Sequence, residues 1–402
     1  MTVFNSELHR RELTQLCQSL VQTPSVNGVH AEKQVAELIA QFSRKHDLHV
    51  EQVEREPDRP NVLVRVGPEG EAALLLIAHM DTVSAGGEER WTHPPFGAEI
   101  VGGRLYGRGA ADNKGGLVAG LAALIKLKEE SMGDLRLPVL LACVPDEESG
   151  ATGWLGVRYL KELGKLSAKT AIYTYPGVHR VIIGHRGVLR TRIIAHGMAV
   201  HSGSTRWSNG TAGCNAVSGM SEIILALENI KFKGVSSDGS CNNFGAIITP
   251  TIISGGTDRS VVPDYCEAVI DIRFGPTVSR DVIEDKISEV VAKIVQRRPP
   301  LRVQVVPDIF IPPTLISPTS MIVSTLRESA KRIFGREPSV AISGPANESY
   351  ILNGFGIPTC VFGPKGGHAH AVDEYVVIDS IFKVAAVYAL TARLLMSNII
   401  KI

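Results

Sequence analysis

Short apolar runs that end in polar clusters recur along this chain. Ala72 to Ile77 leads into Ala78-His79-Met80-Asp81, and Pro138 to Val144 leads into Pro145-Asp146-Glu147-Glu148-Ser149-Gly150. Thr359 to Phe362 precedes Gly366-Gly367-His368-Ala369-His370-Ala371-Val372-Asp373-Glu374-Tyr375. Apolar runs this short read as strands buried on both faces, the habit of parallel strands in α/β proteins. Segments with apolar residues at three and four spacings, such as Leu8 to Val21 and Ala31 to Phe42, read as amphipathic helices. A fourth polar cluster, the glycine-rich Gly107 to Gly116, opens the helical pattern Leu117 to Leu127. Polar groups gathered at strand ends occupy the edge where an open α/β sheet places its ligand crevice.

Near Gly187-Val188 the pattern changes. Strands at Val188 to Ala195, near Phe244 to Ile253, at Tyr265 to Arg273 and at Leu301 to Val306 alternate with helices at Cys214 to Glu228 and Arg280 to Gln296. This predicts a smaller α/β sandwich inserted in the first domain. The proline-rich stretch Pro307 to Pro318 leads back to the helix Met321 to Phe334. The expected division is residues 1–187 and 309–402 for a split catalytic domain and 188–308 for the insertion.

The clusters carry metal chemistry. Residues two apart on a strand share a face, so His79 can ligate while Asp81 orients its ring. That motif alone is more often a polar strand cap, and the other clusters decide the matter. A carboxylate in a glycine-rich turn, Asp112, can approach a cation closely. The turn has no Gly-Lys-Ser/Thr ending, which argues against a phosphate cradle. Adjacent carboxylates point different ways, so one of Glu147 and Glu148 can bind metal while the other acts as a base on water.

In order and spacing these motifs resemble the metal-dependent amidohydrolases and peptidases related to acetylornithine deacetylase, succinyl-diaminopimelate desuccinylase, aminoacylase and carboxypeptidase G. The resemblance covers nearly the whole chain. It implies a mixed-sheet metallohydrolase catalytic domain with an inserted dimerisation or lid domain, hence a homo-oligomer. It also implies metal ligands His79, Asp112, Glu148 and His370, with Asp112 bridging two ions and followed by a cis peptide bond, and His368 the lesser candidate. Asp81 would orient His79, Glu147 would act as base, and His201 would stabilise the oxyanion in the partner's site. Arg273 would bind a substrate carboxylate or pair with Asp271; Arg259 and Asn209 are further candidates for gripping substrate.

Departures from the family pattern are equally informative. Tyr173-Thr174-Tyr175-Pro176-Gly177 puts Tyr175 where the family has a Glu or Asp ligand. A phenol, with its usual pKa near ~10, is a poor ligand unless a metal acidifies it. Arg259-Ser260 replaces an Asn, and Pro345-Ala346-Asn347-Glu348 stands where many relatives have an Asp. The Tyr175 change resembles a divergent branch typified by 5-nitroanthranilate aminohydrolase. The reading is therefore a metal-dependent hydrolase of a C–N bond in a small carboxylate-bearing molecule, by amide or N-acyl hydrolysis or by aromatic-amine hydrolysis. The alternatives are a dinuclear exopeptidase and a non-catalytic binding protein, which would have little use for Glu147. Zinc or manganese is favoured, with cobalt or nickel next, in one or two sites per subunit and one dominant.

Composition changes this picture little. With 402 residues, 42 basic and 41 acidic side chains and a net charge of +1, the chain suits two domains and has no basic patch for nucleic acid. Six cysteines without Cys-x-x-Cys spacing suggest buried thiols of a reducing compartment. The first ten residues lack the apolar core of a signal peptide, and no apolar run approaches membrane length, so a cytoplasmic location is expected.

Overall fold

A computed structural model describes residues 7–131, 135–232 and 245–399. The chain forms two units: one combines the described residues up to Gly184 with Leu315–Ser343 and those from Asn347 onward, and the other comprises His185–Thr314 with Gly344–Ala346.

A nine-stranded mixed sheet organises the first unit. At its centre the strands Val139–Val144, Leu74–His79, Ala171–Tyr173 and Thr359–Gly363 lie side by side and parallel. Leu74–His79 is buried at every position, which explains its unbroken apolar sequence. Parallel neighbours bring their C-terminal ends to one edge, so His79, the loop after Val144 and the loop after Tyr173 are gathered there. Antiparallel strands, including Pro60–Val66 and Gly177–His185, flank this centre.

The helix Gly115–Ser131 is nearly wholly buried in the same core. Its second residue has to be glycine, because a Cβ on Gly116 would lie 2.1 Å from the Thr174 carbonyl oxygen. This close approach seats the helix start against the strand end at Tyr173. The final helix, Ile378–Ile399, has 22 residues and is apolar enough to cross a membrane by length and composition, with a mean hydropathy of 1.3. That corrects the expectation that no segment reaches such length. Its apolar window is 78% buried inside the protein, so here it is a core helix.

A small antiparallel sheet joins two distant loops. Tyr375–Val377 pairs with Arg104–Tyr106, which sets Glu374 beside Gly107. The second unit is a four-stranded antiparallel sheet ordered Ala246–Gly255, Tyr265–Phe274, Gly187–His196, Arg302–Ile311, with helices Ala216–Glu228 and Arg280–Arg297 packed on it. Tyr265–Phe274 alternates buried and partly exposed positions, so Cys266, Ala268, Ile270 and Ile272 share the core face. The strand expected to stop at Val306 continues to Ile311, past a register shift between Pro307 and Ile309. A proline cannot donate to the ladder, so the pairing skips that point and resumes. Phe244 and Cys241 lie outside the described residues; the other five cysteines are buried and unbridged.

Candidate metal centre

His79 is fully buried, and its Nε2 lies 2.9 Å from Asp112 Oδ1. Its Nδ1 is 2.9 Å from the Asp81 carbonyl oxygen, while the Asp81 carboxylate stands farther off at 3.5 Å. A carbonyl only accepts, so Nδ1 donates and Nε2 is the nitrogen left for a cation. Orientation of His79 thus falls mainly to the Asp81 backbone. The Asp81 carboxylate instead holds the base segment: Oδ1 accepts from the Glu147 amide at 3.1 Å and Oδ2 from the Glu148 amide at 2.9 Å. Asn27 Nδ2 donates to that same Oδ2 at 2.7 Å and to Asp146 at 3.2 Å.

The Asp112 oxygens face two ways. Oδ1 meets His79, and Oδ2 is 3.5 Å from His370 Nε2, which itself lies 3.0 Å from Glu148 Oε1. The Asp112-Asn113 peptide is cis. His370 therefore joins the cluster, while His368 lies edge-on to the Tyr375 ring, 5.6 Å between centroids. Ligand atoms of His79, Asp112 and Glu148 lie within 4.8 Å of one another.

Charge shows what the cluster lacks. Hydrogen bonds to Asp112 and Glu148 raise His370 to about 10. Burial opposes protonation of His79, yet its bonds to Asp112 and Asp81 prevail and raise it well above the ordinary imidazole value. Two imidazoles thus take up protons to balance converging carboxylates. A divalent cation answers the same demand with the nitrogen and oxygen donors that zinc or manganese accepts, so the residues fit a metal. Glu147 is 4% exposed, and burial pushes its carboxyl well above the usual range, with His79 pulling the other way.

Tyr175 stands beside the His79 end, its ring centroid 5.4 Å from the imidazole and 5.1 Å from Tyr173. Burial and then Asp112 raise its phenol well above the ordinary value, so it is neutral. Behind it the Tyr173 hydroxyl donates to Glu348 Oε2 at 3.2 Å. Glu348 is fully buried, and burial lifts it to about 8.

The remaining candidates belong to the second unit. His201 is exposed and accepts from the Gly203 amide at 3.1 Å, Asn209 bonds locally to Thr211, and Arg259 is exposed. Arg273 Nε donates to Asp271 Oδ2 at 2.7 Å, so of its two readings the ion pair is the one observed.

Sequence reasoning missed the buttresses. Glu374, fully buried, accepts from Arg108 Nη1 at 2.6 Å and from the amides of Gly109, Ala111 and Asp112 at 3.0, 3.0 and 2.9 Å. Lys114 Nζ ties the same loop to the carbonyls of Leu20 and Thr23. Arg59 grips buried Glu32 with two bonds, at 2.8 and 2.6 Å, and lies 3.5 Å from Asp146. A charged residue beside a motif hinted at Arg108, Asp146 and Glu374, whereas nothing local marked Glu32 or Arg59.

Residues 75–394 match the family model described as peptidase family M20/M25/M40. A probable succinyl-diaminopimelate desuccinylase of Staphylococcus aureus (strain MSSA476) is 26% identical, over 95% of this chain and 96% of that protein. An M20 family metallo-carboxypeptidase from Sulfolobus solfataricus superposes with a TM-score of 0.76 at 20% identity, over 98% of this chain and all of the other, 100%. A Bacillus subtilis protein described as a dinuclear metal-binding peptidase gives a TM-score of 0.72 at 16% identity, over 98% of this chain and 99% of that one. The chain belongs to peptidase family M20/M25/M40 and is a metal-dependent hydrolase.

Proposed function

We propose that the enzyme hydrolyses the C–N bond of a small carboxylate-bearing amide or N-acyl compound, with Glu147 as general base. The observation that carries this reading is the buried Glu147 carboxyl, fixed by its own amide to Asp81 beside the His79/Asp112/Glu148/His370 cluster. Those four residues would hold the metal, zinc or manganese first. A divalent ion there supplies Lewis acidity, acidifying water and polarising a carbonyl. Glu147 takes the proton of the attacking water and passes it to the departing nitrogen, leaving a carboxylic acid and an amine. His201 of the partner subunit would donate to the developing oxyanion. With Arg273 engaged by Asp271, Arg259 and Asn209 are left to bind the substrate carboxylate.

A panel of N-succinyl and N-acetyl amino acids, dipeptides and aromatic amines tests the substrate class. The amides should be turned over. Turnover confined to aromatic amines would replace this reading with the deamination that Tyr175 allows.

A second copy is the partner proposed for the inserted unit. Its edge strand Ala246–Gly255 leaves Ile247, Ile252 and Ile253 more than half exposed, at 51, 62 and 53%, near Leu225 at 60%. Among the described residues this strand has no partner on its outer side, and an apolar edge of this kind invites strand or helix pairing with another chain. His201→Ala should lower kcat with metal content unchanged, and mixing it with Glu147→Gln subunits should restore part of the activity. Mixed oligomers that form yet stay inactive would show that His201 does not act across subunits. The five described cysteines, buried and unbridged, suit a reducing compartment such as the cytoplasm.

Metal affinity should differ across Asp112. On one side Glu148 and His370 add a carboxylate and an imidazole; on the other His79 is joined by a neutral phenol that must lose a proton to ligate. One tightly held ion is expected at this cluster in each subunit. Tyr175→Glu should raise the content of the cluster toward two, and Tyr175→Phe should impair catalysis. Two ions tightly held at the cluster itself in the fully active wild type would contradict the role given to Tyr175.

A further inference from the structure

Three helices of the first unit, Glu7–Gln22, Lys33–Lys45 and Gly115–Ser131, bring together a second set of metal-capable side chains. His9 and Glu12 are three apart on the first helix and share a face. His46 caps the second helix. One donor atom from each of His9, Glu12 and His46 lies within 4.8 Å of the others. Glu12 divides its oxygens: Oε1 takes Lys45 Nζ at 2.7 Å, and Oε2 stands 3.4 Å from His46 Nε2. His46 Nε2 is buried and has no hydrogen bond. From the third helix, Glu129 Oε1 reaches His9 Nδ1 at 3.0 Å. The two imidazoles stand edge-on at 5.4 Å, and Phe42 covers His46 at 4.6 Å.

We propose that His9, Glu12 and His46 form a second metal site, for zinc or a similar borderline transition-metal ion, with Glu129 completing the coordination and the ion clasping the three helices together. Donors bonded to tetrahedral zinc at about 2.0–2.1 Å lie roughly 3.4 Å apart, the spacing already held by Glu12 Oε2 and His46 Nε2. Two imidazoles with carboxylates suit zinc, cobalt or nickel, whereas calcium and magnesium want oxygen alone. Asp112 precedes the helix Gly115–Ser131 and Glu129 lies near its other end, so about 21 Å of helix axis runs between Gly115, beside the catalytic cluster, and Glu129. The two sites would load independently.

The test is zinc titration of the chelator-stripped full-length chain by calorimetry, for wild type, His46→Gln and Asp112→Asn. His46→Gln should take up one zinc equivalent fewer than wild type, keep its activity when loaded, and lose part of the zinc-dependent rise in Tm. Its affinity at this site should fall by more than the roughly 10- to 100-fold that loss of an outer hydrogen-bond partner costs. Asp112→Asn should retain the equivalent that His46→Gln loses, which separates this site from the catalytic one. Zinc-soaked wild-type crystals should show an anomalous peak between His9 and His46, a readout that needs no variant. Equal stoichiometry in wild type and His46→Gln, or no peak at saturating zinc, would overturn the proposal and leave the cluster a hydrogen-bonded ion network.

Discussion

Replacing Glu147 by glutamine should lower kcat by on the order of 100-fold to 10,000-fold while metal content stays at the wild-type level. Glutamine keeps the shape of the side chain, and the Glu147 amide still donates to Asp81 Oδ1. What disappears is the oxygen that can accept a proton from water and return it to nitrogen. Stability should not fall, because burial holds this carboxyl well above its ordinary pKa and the neutral amide escapes that cost. Metal content, Tm and kcat measured on one preparation separate these effects. Near wild-type turnover in Glu147→Gln would remove the base from the mechanism, and loss of metal would make Glu147 a ligand instead.

Glu374→Ala should be the most damaging substitution outside the cluster, unfolding or loosening the loop that carries Asp112. Arg108, only 2% exposed, would lose its carboxylate partner and keep only its Nε bond to the Ser84 carbonyl, and three backbone amides would lose their acceptor. Breaking a buried ion pair costs about 3–5 kcal/mol, and each unserved buried amide about 1–3 more, although such terms do not add. Burial raises the Glu374 pKa against the pull of those amides and Arg108, so the net loss is smaller than the pairwise sum. Metal affinity should fall with stability, since the Asp112 amide is one of the groups held. A control distinguishes an ion pair from a loop anchor. Arg108→Leu combined with Glu374→Leu removes the orphaned charge but leaves the amides unserved, so it should not recover stability. Recovery to wild type would show that Glu374 serves only Arg108.

The contrast between those two residues shows what a sequence makes legible. His79, Asp112, Glu147 and Glu148 stand out because each interrupts or ends an apolar segment, and the central strands are parallel, so their ends necessarily converge. His370 follows from the same logic with help from the family pattern. Glu374 sits four residues further on, yet its role depends on the antiparallel pairing of Tyr375–Val377 with Arg104–Tyr106, two segments far apart in the chain. No local periodicity encodes that pairing. Arg59 and Glu32 pair between a strand approach and a helix start for the same nonlocal reason. Arg273 was ambiguous because its neighbour two positions back, Asp271, shares its strand face, and the ion pair is the nearer solution. The length of Ile378–Ile399 was hidden by Asp379, Lys383 and Arg393, charges that break the apolar run without breaking the helix.

The most direct test of the central claim is a metal titration of the chelator-stripped enzyme, followed by hydrolysis of whichever amide the panel identifies. The stripped protein should be folded and inactive, and activity should return with zinc or manganese in proportion to the first equivalent bound at the His79/Asp112/Glu148/His370 cluster. Asp112→Asn should neither bind that equivalent nor regain activity. A stripped protein that hydrolyses the amide at the wild-type rate would contradict the account.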